Sequence, residues 1–123
     1  MSKPLALVYY SNFMPGSQLA NRLLDLGYSV QILNQAAAIP LACERDKPLV
    51  LVAELWPQTE VCAAVTQIKS NPATQHISVL GYSLTQDEAI QAKAREAGVN
   101  LLAGTAAIAE YLPQLLDQII NVE

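Results

Sequence analysis

The sequence predicts a three-layer α/β sandwich, in which one parallel sheet of five strands is covered by helices on both faces. Short apolar runs alternate with stripes of helical periodicity five times along the 123 residues, and this alternation is typical of parallel strands joined by helical crossovers. Hydrophobic residues make up 52% of the chain, which is enough to cover a sheet on two faces. A chain of this length predicts one domain, residues 1–123.

The first strand is predicted at residues 5–10, which are all apolar or aromatic. The polar segment 11–17 contains a Pro-Gly pair, which predicts a turn between the first strand and the first helix. We expect that helix to begin near residue 17 and to end at Gly27, because glycine readily adopts the left-handed conformation of a helix C-cap. Three leucines fall on one helical stripe: Leu19, Leu23 and Leu26.

The second strand is predicted at residues 28–33, where polar and apolar residues alternate. Residues 34–44 are rich in alanine but contain Pro40, so the sequence gives little support for a helix there. Residues 49–53 are apolar at every position, as expected for a central parallel strand that is covered on both faces.

A helix follows Pro57 and ends at the Asn-Pro pair 71–72. Its apolar residues recur at i, i+3, i+4 and i+7: Val61, Ala64, Val65 and Ile68. The fourth strand is predicted at residues 77–82.

Thr85 and Glu88 have the spacing of a capping box, which predicts the start of a helix that ends at Gly98. Residues 99–103 predict the fifth strand. The last helix is predicted at 109–120, and Pro113 must lie in its first turn or kink it.

Five strands and right-handed crossovers in so short a chain favour the flavodoxin-like strand order 2-1-3-4-5. Ligands and reactive groups of such sheets lie beyond the carboxyl ends of the strands. We call the residues at these ends the rim. The rim residues are Tyr9, Tyr10, Ser11, Asn12, Ala53, Glu54, Trp56, Tyr82, Ser83, Leu84, Gly104 and Thr105.

Three segments of the chain resemble the receiver domains of response regulators. Residues 49–57, Leu-Val-Leu-Val-Ala-Glu-Leu-Trp-Pro, are similar to the strand that ends in the phosphoacceptor aspartate four residues before a proline. Residues 69–77, Lys-Ser-Asn-Pro-Ala-Thr-Gln-His-Ile, resemble the segment that leads into the fourth strand. Residues 96–100, Glu-Ala-Gly-Val-Asn, are similar to the family's Glu-Ala-Gly-Ala-Asp.

The resemblance implies that most of the family's reactive groups are missing from this chain. The acceptor aspartate falls on Ala53, and the acidic pair after the first strand falls among Tyr9, Tyr10 and Ser11. The hydroxyl residue that ends the fourth strand is retained as Ser83, whereas the lysine after the fifth strand falls on Thr105.

Two further positions of the family are changed as well. The proline beside the lysine falls on Ala106, and the aromatic switch residue falls on Leu102. The sequence therefore predicts a degenerate phosphoacceptor pocket formed by Tyr10, Ser11, Ala53, Glu54, Ser83 and Thr105, with no metal ligands and no catalytic residue. Phosphoryl transfer needs an acceptor carboxylate, acids that hold a divalent cation and a fixed positive charge, and Glu54 alone cannot supply them.

Other candidate reactive groups have simpler interpretations. Glu54 could mimic a permanently charged acceptor, but the spacing to Pro57 favours a solvated loop glutamate. His76 precedes the fourth strand, at the opposite edge from the rim, and is interpreted as a surface residue. Cys43 and Cys62 lack a histidine at the same edge, so an enzymatic function ranks last.

The leading hypothesis is a phosphorylation-independent signalling module without a cofactor, which binds a protein partner or a second copy of itself. The resemblance places its interface on the helix 85–97, the fifth strand and the last helix. The alternative is a flavodoxin-like domain that binds a small molecule at the rim.

A net charge of -4 without a basic cluster argues against nucleic acid and anionic lipid as ligands. No leader or membrane span is recognisable in the sequence, which predicts a cytoplasmic protein.

Overall fold

Five parallel strands form one sheet in the computed structural model of the chain, which describes residues 4–10, 13–55, 58–83 and 88–120. The strands are β1 (Leu5–Tyr9), β2 (Ser29–Leu33), β3 (Val50–Glu54), β4 (Ser78–Ser83) and β5 (Leu101–Gly104). Their order across the sheet is β2-β1-β3-β4-β5, and each neighbouring pair is parallel. The predicted flavodoxin-like α/β sandwich and its strand order are therefore confirmed.

Helices cover both faces of the sheet. They are α1 (Phe13–Asp25), a short 3-10 helix (Ala36–Ala38), α2 (Ile39–Asp46), α3 (Gln58–Ser70), α4 (Glu88–Ala97), α5 (Thr105–Glu110) and α6 (Leu112–Ile120). Helices α1, α5 and α6 contribute to one apolar core, and α2, α3 and α4 contribute to the other. Within the described ranges, no helix is long and apolar enough to cross a membrane.

Strand β3 lies at the centre of the sheet, and all five of its residues are buried. Because side chains alternate along a strand, Val50 and Val52 join the core beneath α1, α5 and α6. Leu51 and Ala53 join the core beneath α2, α3 and α4. The alternation of side chains therefore determines which of the two cores each of these β3 residues joins.

Helix α1 begins at Phe13, four residues before the predicted start. Pro15 lies in its first turn, where a missing N–H removes no helical hydrogen bond, so the Pro-Gly pair does not break the helix. Gly27 has a φ of 95° and follows the helix end as predicted. Leu26 lies beyond that end and is 42% exposed, which contradicts its predicted place on the buried stripe with Leu19 and Leu23.

Residues 34–44 are more helical than the sequence indicates, because Pro40 also falls in a first helical turn, that of α2. The predicted last helix is two helices, α5 and α6, which are separated at Tyr111. Pro113 lies in the first turn of α6, as predicted. The predicted capping residues 85–87 lie outside the described residues.

Strand β5 begins at Leu101, two residues later than predicted. Asn100 precedes it, and its side-chain Oδ1 accepts the backbone N–H of Val79 at 2.8 Å. The backbone N–H of Asn100 donates to the carbonyl of Val79 at 2.9 Å. One of the two hydrogen bonds between β4 and the residue before β5 is thus accepted by a side chain instead of a backbone carbonyl.

Candidate functional site

The strand register brings the described rim residues to one edge of the sheet. Tyr9 at the end of β1 lies beside Ala53 on β3, and Glu54 lies beside Tyr82 on β4. Ser83 lies beside Gly104 at the end of β5. Tyr10 and Thr105 directly follow β1 and β5. Of the predicted pocket, only Ser11 lies outside the described residues, as do three further rim residues, Asn12, Trp56 and Leu84.

Ala53 is completely buried at the position that the resemblance assigns to the phosphoacceptor. Its methyl group belongs to the core that Tyr9, Leu51 and Leu55 also share. A methyl group offers neither an oxygen nucleophile nor a ligand for a cation. The position is therefore part of the apolar packing.

Glu54 is the last residue of β3 and only 7% exposed, so the expectation of a solvated loop glutamate is wrong. Pairing continues past it, because the backbone N–H of Leu55 donates to the carbonyl of Tyr82 at 2.9 Å. This continued pairing keeps Glu54 inside the sheet. By alternation its side chain lies on the opposite face from that of Ala53.

Glu54 lies close enough to Tyr82 and Tyr9 for its charge to affect both phenols. Tyr82 is 1% exposed, and its hydroxyl has no hydrogen-bond partner among the described residues. Burial raises the pKa of Tyr82 strongly, and Glu54, Tyr10 and Tyr9 raise it further. Burial, Glu54 and Glu60 raise the pKa of Tyr9. Both phenols therefore stay protonated at neutral pH and can act as hydrogen-bond donors.

Tyr82 was not among the pocket residues predicted from the sequence. It stands one position before Ser83, the retained hydroxyl residue, and a strand residue at that place is ordinarily interpreted as core. The available signal was a large polar aromatic residue at the end of an otherwise small or apolar strand, Ser-Val-Leu-Gly-Tyr-Ser. Its burial beside Glu54 became visible only in the folded chain.

The remaining rim residues supply hydroxyl groups but no positive charge. Ser83 is 8% exposed, and Thr105 is the half-buried first residue of α5. None of the described rim residues is Lys or Arg. No group of three or more His, Cys, Asp and Glu residues that could hold a metal ion occurs in the described part of the chain.

Neither cysteine belongs to the predicted pocket or to the rim. Cys43 is buried in the core on α2, and burial, with a smaller effect of Asp46, raises its pKa to about 12. Burial also raises the pKa of Cys62. A thiol with a raised pKa forms little thiolate and is a poor nucleophile. His76 is exposed in the turn before β4.

The similarity between this chain and known proteins is a similarity of three-dimensional structure. No protein-family model matches the sequence, and no curated protein is significantly similar to it. A putative response regulator from Chloroflexus aurantiacus superposes with a TM-score of 0.87 at 18% identity, over 97% of this chain and 99% of that chain. The phosphorylated cyanobacterial phytochrome response regulator RcpA gives a TM-score of 0.81 at 14% identity, over 100% and 97%.

A third structure is the receiver domain of a sensor histidine kinase from Pseudomonas aeruginosa, with a magnesium ion coordinated in its active-site cleft. It matches with a TM-score of 0.86 at 15% identity, over 98% of this chain and 99% of that chain. At such identities the likeness shows the fold alone. This chain has the flavodoxin-like fold of response regulator receiver domains.

Proposed function

We propose that this protein is a non-enzymatic signalling module of the receiver type, which binds a protein partner without being phosphorylated. The observation that carries the proposal is the complete burial of Ala53 at the end of β3, on a fold shared with receiver domains. The module acts in the cytoplasm and has neither nucleic acid nor membrane as its ligand.

The electrostatics of the rim support this proposal. An acyl phosphate and its magnesium ion bring negative and positive charge that the site must balance. The acidic pair falls among Tyr9, Tyr10 and Ser11, none of which carries a carboxylate, and Thr105 replaces the fixed ammonium with a hydroxyl. Glu54 is the single acid among the described rim residues and would repel an incoming phosphate.

The proposed partner surface is the face formed by α4, β5 and the helices α5 and α6. A recess of about 320 Å³ lies between α4 and β5, and Arg95, Leu101 and Leu102 line it. β5 is an edge strand, so its outer backbone groups have no neighbouring strand within the sheet. An edge strand beside a recess lined by both polar and apolar side chains suits a protein partner or a second copy of this chain.

Phosphorylation is tested by intact-mass spectrometry after incubation with acetyl phosphate and magnesium. We expect an unchanged mass, because no acceptor carboxylate stands at position 53. A receiver domain that has the aspartate, treated in parallel, shows that the phosphodonor is active. A gain of one phosphate on this chain would contradict the proposal.

The interface is tested by sedimentation velocity over a range of protein concentrations. If the chain dimerises through the proposed face, Arg95→Glu weakens the dimer, whereas Arg22→Glu on the exposed surface of α1 leaves it intact. A dimer that is insensitive to Arg95→Glu would place the interface elsewhere. A monomer at all concentrations would leave a different protein as the partner.

A small-molecule-binding function at the rim is the second candidate, and the Tyr82 hydroxyl favours it. A buried hydroxyl without a partner costs free energy, and a polar ligand at the rim could satisfy it. Thermal unfolding in the presence of a flavin or a nucleotide tests this candidate. A rise of several degrees in Tm would favour ligand binding over the module proposed above.

A further inference from the structure

A cavity of about 640 Å³ opens beside the rim, between the short 3-10 helix before α2 and helix α3. Its volume falls within the range of small-molecule sites. Ala36 and Ala64 are buried at its base, and Ala37 and Ala63 are exposed at its mouth. These four alanines have short side chains, which leave space where longer side chains would fill it.

The polar side chains described in the lining of the cavity are either neutral or negatively charged. Asn34, Gln35 and Gln67 supply amide groups, and Glu60 is the only charged residue among the described residues that line the cavity. Tyr9 also lines the cavity. Glu54 and Glu60 both raise the pKa of Tyr9, after the larger effect of burial, so the negative field of two carboxylates reaches its phenol.

This arrangement discriminates between ligand charges. A phosphate or carboxylate needs Lys, Arg or converging backbone N–H groups, and none of the lining residues that the structure describes is Lys or Arg. An ammonium or amidinium group, in contrast, can be paired with the carboxylate of Glu60 and can donate to the amide oxygens. Alanine walls contact an apolar body without competing for its hydrogen bonds.

We propose that this cavity binds a small organic cation, whose amine or amidinium group pairs with Glu60 and whose compact apolar body lies between the alanines of the 3-10 helix and α3. The site is separate from the α4–β5 face and does not require that face to bind a partner. It also does not depend on the chemistry of position 53. The proposal therefore stands or fails independently of the module's phosphorylation state.

The test uses three probes of nearly equal shape and different charge: benzamidine, benzamide and benzoate. Each is titrated into the 15N-labelled protein at about millimolar concentrations, and amide chemical shifts are recorded. We expect benzamidine to bind most tightly and benzoate least, with shift changes around Ala37, Ala63 and Gln67. The absence of benzamidine binding, or equal binding of benzoate, would overturn the proposal.

Two variants locate the site, each with a matched control. Glu60→Gln should weaken benzamidine binding about tenfold, since it removes a charged hydrogen-bond acceptor, whereas Glu96→Gln on exposed α4 should not. Ala63→Leu should block the cavity mouth, whereas Ala92→Leu on exposed α4 should leave binding unchanged. Benzamidine binding that survives both Glu60→Gln and Ala63→Leu would show that the cation binds elsewhere and would refute the site.

Discussion

The amino-terminal and carboxyl-terminal ends of the strands differ in how their polar groups are satisfied. At the amino-terminal edge, Nζ of Lys69 donates to the carbonyl of Ile77 at 2.7 Å and to Oδ1 of Asn100 at 3.0 Å. The same Oδ1 accepts the N–H of Val79 at 2.8 Å. The hydroxyl of buried Thr74 donates to a backbone carbonyl at 2.8 Å. Each of these polar groups has a partner within the fold.

At the rim, the hydroxyl of Tyr82 is buried without a partner among the described residues, close enough to Glu54 for that carboxylate to raise its pKa. An unsatisfied buried hydroxyl costs about 1 to 3 kcal/mol. Folded proteins keep such costs mainly where a function requires them. The comparison therefore supports the proposal of a functional site at the rim, whereas the hydrogen bonds of the amino-terminal edge contribute to stability.

The largest expected effect follows from placing a charge in the apolar part of the rim. Ala53→Asp should lower the free energy of unfolding by about 4 kcal/mol near pH 7, because the introduced carboxylate is buried and no cation among the described rim residues pairs with it. Urea unfolding measures the loss. Ala53→Asn is the uncharged control of similar shape and should cost less.

The same substitution has a predicted pH dependence. Burial raises the pKa of the introduced carboxyl above its unfolded value of about 3.9, so the folded state is favoured when the carboxyl is protonated. The difference between Ala53→Asp and Ala53→Asn should therefore shrink as the pH falls toward about 4. A difference that is small near neutral pH would show that the end of β3 is not an apolar environment.

A smaller effect is expected at the amino-terminal edge. Gly98 has a φ of 108°, and a Cβ there would lie 2.6 Å from Cγ of Lys69, whose ammonium is held by Ile77 and Asn100. Gly98→Ala should therefore cost about 3 kcal/mol, from backbone strain and from displacement of Lys69. Thermal or urea unfolding measures this loss.

Gly27→Ala is the matched control for that measurement. Gly27 has a φ of 95°, but a Cβ there would meet nothing within 4 Å, so only the backbone strain of about 1 kcal/mol is expected. Equal losses for Gly98→Ala and Gly27→Ala would mean that the Lys69 network adds little stability to this edge.

The smallest expected effect is a gain in the free energy of unfolding. Tyr82→Phe removes the unsatisfied hydroxyl and should raise the free energy of unfolding by about 1 kcal/mol, as measured by urea unfolding. Tyr111→Phe, at a half-exposed position, is the control and should change it little. A clear loss of stability in Tyr82→Phe would show that the hydroxyl has a partner in solution.

Alkaline pH sharpens this prediction. The pKa of Tyr82 is raised in the folded state, so the unfolded chain releases the phenolic proton first, near pH 10. The contribution that the protonated Tyr82 phenol makes to wild-type stability is therefore complete below this pH and decreases as the pH rises above it. The advantage of Tyr82→Phe over the wild type should therefore grow above about pH 10.

Segments governed by local pattern could be predicted from the sequence. The run 49–53, which supplies most of β3, is recognisable because each of its residues is apolar and a proline follows at position 57. The strand order followed from the alternation of strands and helices. Helix starts were less predictable: Pro15 and Pro40 resemble breakers in the sequence, yet each lies in a first turn, where proline is tolerated.

The sequence by itself determined the sheet topology and the chemical identity of the rim, because periodicity and residue type are local properties. Only the tertiary structure decided that Glu54 is buried, that the Tyr82 hydroxyl beside it has no hydrogen-bond partner among the described residues, and that alanines from two helices leave a cavity with Glu60 at its edge. Burial and hydrogen bonding depend on residues distant in the chain, and the sequence pattern does not state their distances or orientations.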